Sequence, residues 1–89
     1  MFEWDNLKNR SNYKKHGIWF EEAKEIFIGT ILSFEDSRKN YGEKRTISVG
    51  AIDQEVVIVV VHTDRKGITR IISARKANKK ERRLYFERI

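Results

Sequence analysis

A chain of 89 residues with 39% apolar side chains builds one small domain around one hydrophobic core, with no material for a second. It has no cysteine, which removes disulfides, thiolate metal sites and cysteine nucleophiles, and its longest apolar run, Val56 to Val61, is far short of the roughly twenty residues of a membrane helix. The net charge of +6 is unevenly placed: residues 1–64 carry nine basic and eleven acidic side chains, residues 65–89 ten and two.

That local excess of +8 attracts phosphate backbones, and serves equally as a contact for an acidic protein partner. The N-terminus, Met1-Phe2-Glu3-Trp4-Asp5, has neither the basic start nor the apolar core of a signal segment. A single domain over 1–89, cytoplasmic and without membrane contact, is therefore expected.

In chain order, Phe2-Glu3-Trp4 alternates as a short edge strand would. Asp5 or Asn6 suits an N-cap, and a helix runs from there to His16, with Gly17 at the left-handed position after it and Lys14, Lys15 and His16 in its last turn. A second helix fits Trp19 to Ile28, with Phe20, Ala23, Lys24 and Phe27 on its inward stripe and Ile26 flanking. Thr30 to Asp36 is β-branched and aromatic. From Arg45 the pattern alternates, Ile47, Val49 and Ala51 against Thr46, Ser48 and Gly50, which predicts a half-buried strand. Glu55 to Thr63 is apolar on both faces, as in a central strand, and Ile68 to Ala74 returns beside it. Ala77 to Arg88 is a basic helix. Trp4 and Trp19 carry too much apolar area for so small a domain to leave outside, so both are expected in the core. The class is α+β, with two N-terminal helices, an antiparallel sheet of three to four strands and a closing helix.

Register stays open at the last hairpin, because a slip of one residue exchanges the two faces. One relation survives: Arg70 and Arg75 are five apart and point to opposite faces of any regular strand. Both line one site only if a bulge or the strand end turns one of them.

Several segments together resemble the BrnT family of bacterial type II toxins, related in fold to the RelE toxins. They are Phe2-Glu3-Trp4-Asp5, Asn12, Lys15-His16-Gly17, Phe20-Glu21-Glu22-Ala23 with Phe27, and Gly42-Glu43 with Arg45. Val60-Val61-His62-Thr63 with Arg65, Arg70-Ile71-Ile72-Ser73-Ala74-Arg75, and Glu81-Arg82 with Tyr85 complete the set. Each is a weak signal alone; in this order and spacing they are a strong one. The family's usual Asp-Pro step after the second helix is replaced by Gly29-Thr30. The resemblance implies a RelE-like fold, a ribonuclease that arrests translation, and a BrnA-like antitoxin. That antitoxin's ribbon-helix-helix domain would carry the complex to operator DNA.

RNA cleavage without metal uses the 2′-hydroxyl as nucleophile, so the protein must move two protons and stabilise charge on the phosphoryl oxygens. Histidine suits the first task and arginine the second. The chain offers two histidines, no His/Asp/Glu spacing for a metal and no glycine-rich phosphate loop, so no cofactor is expected. His16, in the family-like Lys-His-Gly step, is the candidate general acid or base, set against a plain role in a helix C-terminal turn. Arg65 and Arg75 are the candidate phosphate ligands, with Arg70 the more structural or antitoxin-facing one. Tyr85 is a candidate proton donor or base-stacking group and equally a core residue. Lys15, Lys79, Lys80, Arg82 and Arg83 are the candidate RNA-backbone contacts, and His62, ending an apolar strand, reads as buried. The competing reading is a non-catalytic nucleic-acid-binding or regulatory module on the same fold.

Overall fold

The first helix begins where a short carboxylate replaces missing backbone partners. In the computed structural model, which describes residues 1–89, Asp5 Oδ1 accepts from the amides of Leu7 (2.8 Å) and Lys8 (3.1 Å) and opens α1, Asn6–His16. Gly17 closes it at φ 72°, a left-handed value that a Cβ disfavours. Both ends match the sequence. The docking of α1 follows no hydrophobic stripe, because its buried residues are Asn9 and Asn12. Asn9 donates to Glu21 and accepts from the Phe20 N–H. Asn12 donates to the carbonyls of Ile18 and Ala74 and accepts from the Ala74 N–H, supplying the partner that a sheet edge lacks there.

The second helix is shorter than expected. Helix α2, Phe20–Ala23, makes one turn and passes into a 3-10 helix, Lys24–Ile28. Three residues per turn bring Phe20, Ala23 and Ile26 into line, and these three are fully buried. Lys24, expected inward on a 3.6-residue stripe, is exposed. Trp4 packs edge-on to Phe20 against the core, as expected. Trp19 does not enter the core: it is 37% exposed and stacks on Tyr13, with ring centroids 4.1 Å apart. Phe20, one residue later, takes the inward place.

Five strands complete the fold: β1 Phe2–Glu3, β2 Leu32–Asp36, β3 Arg45–Ala51, β4 Val57–Arg65 and β5 Ile68–Lys76, in the spatial order β1-β5-β4-β3-β2. The chain starts on one edge, passes through α1 and α2 to the far edge, and returns as an antiparallel meander until β5 lies parallel to β1. The sheet is thus mixed and five-stranded, where three to four antiparallel strands were expected. The expected α+β class is what the structure has. Helix α3, Lys79–Arg88, starts later than the expected Ala77, at an Asn78–Glu81 capping box.

One sheet face gathers Ile58, Val60, Ile71 and Ala74 against Phe20, Ala23 and Ile26. The other gathers Val49, Val57 and Val59 under Tyr85 of α3. Strand β3, expected half-buried, has its polar row beneath the helices instead. Ser48 is fully buried between Ser33 Oγ (2.8 Å) and His62 Nε2 (2.7 Å). A Cβ on Gly50 would lie 2.7 Å from Ile26 Cβ. Small residues here mark close helix approach rather than solvent. Gly50→Ala is expected to cost about 1–3 kcal/mol, read as a lower urea midpoint at unchanged slope.

His62 is buried as expected, with Phe27 edge-on at 4.9 Å. Burial holds its pKa below the ordinary 6.5, against a smaller opposing pull from Asp64. The unfolded chain therefore binds this proton more readily than the folded one. The stability that depends on it is complete above about pH 6.5 and declines as the pH falls through that value, above the carboxylate range. Urea midpoints at pH 7.5 and 5.0 are expected to differ in wild type, and to differ less in His62→Gln.

Strand β5 carries a bulge. Val61 pairs with Ser73 whereas His62 pairs with Ile71, which leaves Ile72 as an extra residue. Ile71 and Ala74, three apart, consequently both enter the helix-covered core. Arg70 pairs with Thr63 and Arg75 with Val59, and those partners lie four apart along β4. Arg70 and Arg75 therefore share a face. The opposite-face relation fails at this bulge.

Candidate nucleic-acid interface

Helix α3 covers only the end of its sheet face around Val57 and Val59. Beyond it the same face continues through Val61 and Thr63 to Arg65 without a helix above it. Across this open half the pairing sets one row, Asp36 on β2, Arg45 on β3, Thr63 on β4, Arg70 on β5 and Glu3 on β1. Exposed Phe34, with Ile47, Val61 and Ser73, forms the next row.

Carboxylates meet most of the arginines here. Arg70 Nη1 donates to Glu3 Oε2 (2.9 Å), and Arg65 Nη2 donates to Glu43 Oε1 (2.8 Å). Arg75 donates to both oxygens of Glu81 (2.8 and 2.7 Å). Arg38 grips Asp36 in the same forked way and, as the main cause, holds that carboxyl down to about 2. The Arg65 hydrogen bond likewise keeps Glu43 below the ordinary carboxylate range, so it stays ionised at neutral pH. Arg45 makes no ion pair: its guanidinium lies 3.9 Å from the Tyr41 ring centre, its buried Nε has no partner, and its charge adds to the pull that keeps Glu43 down.

Of the expected site residues, His16 ends α1 and is half-buried. It lines a hollow of about 220 Å³ with Lys15, Lys8, Ser11 and Asn12 on the helix and with Ile72 and Ser73 on β5. Ser73 lies between Arg70 and Arg75 on the open face, so the bulge places His16 and Lys15 beside that face at its β5 edge. Arg65 and Arg75 do not share this hollow. Arg65 is the last residue of β4, while Arg75 pairs with Val59 six residues earlier, about 20 Å along the strand. They can serve two phosphates of one strand but not the same one. Tyr85, expected as proton donor or stacking group, is 4% exposed, and its hydroxyl donates to Thr30 O at 2.7 Å. Its place is the core of α3. Lys79, Lys80, Arg82 and Arg83 are exposed along α3, and Arg82 donates to the Glu55 carbonyl. Arg45, named in the sequence only within a family-like segment, and Arg70, expected as structural or antitoxin-facing, were not among the expected site residues, although the alternation places Arg45 with Ile47.

A family model described as the ribonuclease toxin BrnT of type II toxin-antitoxin systems matches residues 4–81. The chain belongs to the BrnT family. Among solved structures, the crystal structure of the Brucella abortus ribonuclease toxin BrnT is similar, with a TM-score of 0.68 and 24% identity. The match covers 89% of this chain and 99% of that one, and at this identity it is a likeness of fold. No curated protein matches the sequence. No helix is long and apolar enough to cross a membrane.

Proposed function

We propose that this BrnT-family protein is an endoribonuclease toxin that cuts RNA without a metal ion and arrests translation. A BrnA-like ribbon-helix-helix antitoxin neutralises it, and the pair represses its own operon by binding operator DNA. The observation that carries the reading is the open sheet half, where Arg45, Arg65 and Arg70 stand on three neighbouring strands and a hollow lined by His16 meets the β5 edge at Ser73.

In the reaction the 2′-oxygen attacks phosphorus, the bond from phosphorus to the 5′-oxygen breaks, and a 2′,3′-cyclic phosphate and a 5′-hydroxyl result. One proton leaves the 2′-hydroxyl and one reaches the departing 5′-oxygen. His16 serves this proton traffic from the β5 edge. Arg75, outside the hollow but two residues from Ser73 at its edge, stabilises the phosphoryl oxygens, while Arg65 holds the strand farther along. Lys15 and the cations of α3 add backbone attraction.

The test is incubation of the purified protein with RNA and a chelator. Cleavage that persists, leaves cyclic phosphate ends and is lost in folded His16→Ala supports the reading. RNA that stays intact while still bound would favour a non-catalytic binding module. For the antitoxin, the expected result is growth arrest on expression alone and recovery when the neighbouring DNA-binding partner is supplied; normal growth with soluble toxin counts against it.

A further inference from the structure

Arg75 pairs with Val59, four residues or about 13 Å along β4 from Thr63, and Arg65, two residues or about 7 Å beyond Thr63, is held by Glu43 (2.8 Å). The middle of the open face is occupied by Thr63, a short side chain flanked by Arg45 on β3 and Arg70 on β5. Two interstrand spacings separate the flanking backbones, about 10 Å, which leaves room for one phosphate between two long cationic side chains. Thr63 is buried and its hydroxyl donates to the Lys44 carbonyl (2.7 Å), so it forms a floor, with the Glu43 carboxylate, held by Arg65, at its Arg65 side.

The two guanidinium groups are held by very different partners. Arg45 lies against the Tyr41 ring and makes no ion pair, its Nε is buried and unpartnered, and its charge helps Arg65 hold the neighbouring Glu43 carboxyl down without a hydrogen bond to it. Arg70 is engaged by Glu3, whose carboxylate comes from the two-residue strand β1. A carboxylate and a phosphate diester present similar paired oxygens to an arginine fork.

We infer that Arg45 and Arg70 form a seat for an RNA phosphodiester over Thr63, and that Glu3 occupies the Arg70 side of it until RNA displaces it. This rests on the RNA-cleaving reading above and adds a substrate-binding position between its two ends. The seat grips the strand away from the bond that breaks, so its loss appears in binding and KM rather than in kcat.

The experiment measures binding of a single-stranded RNA oligonucleotide across a salt series for wild type, Arg45→Gln, Arg70→Gln, the double variant and Glu3→Gln. His16→Ala in every background prevents cleavage during the titration. Removing both arginines is expected to weaken binding at least tenfold and flatten the log–log salt slope by about 0.7, the value for one phosphate on a single strand. Glu3→Gln is expected to tighten binding severalfold. A purely structural Glu3–Arg70 pair predicts the same direction for both partners, so opposite signs are the decisive readout. Arg70→Lys, which keeps the charge and loses the fork, should fall between wild type and Arg70→Gln; thermal melts of each variant exclude misfolding. Unchanged affinity and slope in the double variant, with wild type binding RNA, overturns the seat alone. Wild type that neither binds nor cuts RNA overturns the seat and the ribonuclease reading together.

Discussion

Asn12→Leu is expected to destabilise the fold by about 3–5 kcal/mol, roughly 15 °C or more in melting temperature for a domain of this size. Leucine fills a similar volume but cannot donate to Ile18 O and Ala74 O, both at 2.9 Å, or accept from Ala74 N–H at 3.1 Å. Ala74 is fully buried, and β1 pairs with β5 only at Thr69 and Arg70, so no neighbouring strand takes over these groups. Each buried group left unpaired costs about 1–3 kcal/mol, only partly offset by the added apolar contact. Because the whole domain rests on about 5–15 kcal/mol, a large share of its stability depends on one side-chain amide. The check is a urea melt beside Leu7→Ser, on the exposed side of the same helix, which should stay within about 0.5 kcal/mol of wild type. A melt of Asn12→Leu that superimposes on wild type would mean that α1 docks by other means.

The same asparagine shows what a sequence conceals. The ends of α1 were legible because caps are local: Asp5 reaches amides two and three residues away, and Gly17 needs only its own backbone freedom. Strand β3 was legible because its side chains alternate with a period of two, and β4 because a run apolar on both faces marks a central strand, with β5 returning beside it after the turn. The docking face of α1 was not, since hydropathy gives Asn9 and Asn12 no inward preference and their partners lie far off in the chain. The 3-10 continuation of α2 escaped because Phe20, Ala23 and Ile26 satisfy a period of three, while the longer stripe through Lys24 and Phe27 fits an ordinary helix. At the site, the family-like segments drew attention to His16, Arg65 and Arg75. Their separation into a hollow at one edge and a turn at the far end depends on register, which turn geometry fixes. Lys66 and Gly67 both adopt positive φ, 52° and 83°, and close the two-residue hairpin that pairs Arg65 with Ile68. Arg70 was misplaced by one extra residue, Ile72, that alternation cannot announce.

That geometry divides the two expected phosphate ligands by kinetic effect. Arg75→Gln is expected to lower single-turnover RNA cleavage by about 10²–10³-fold with little change in KM, the usual cost of removing one donor that stabilises developing charge. Arg65→Gln, about 20 Å away, is expected to raise KM severalfold and leave kcat nearly unchanged. The difference follows from position along the face: Arg75 is two residues from Ser73, which lines the His16 hollow, whereas Arg65 lies at the far end of β4. The Glu81 fork holds Arg75 in place before substrate arrives, and the arginine is 44% exposed at its side chain, so a phosphate can reach it without opening the core. Losing that half-exposed ion pair costs the fold less than about 1 kcal/mol, which keeps the activity measurement interpretable. Should Arg65→Gln damage kcat more than Arg75→Gln, the cleavage centre would have to move to the Glu43 end of the sheet, where a carboxylate kept ionised by Arg65 would take the base role from His16.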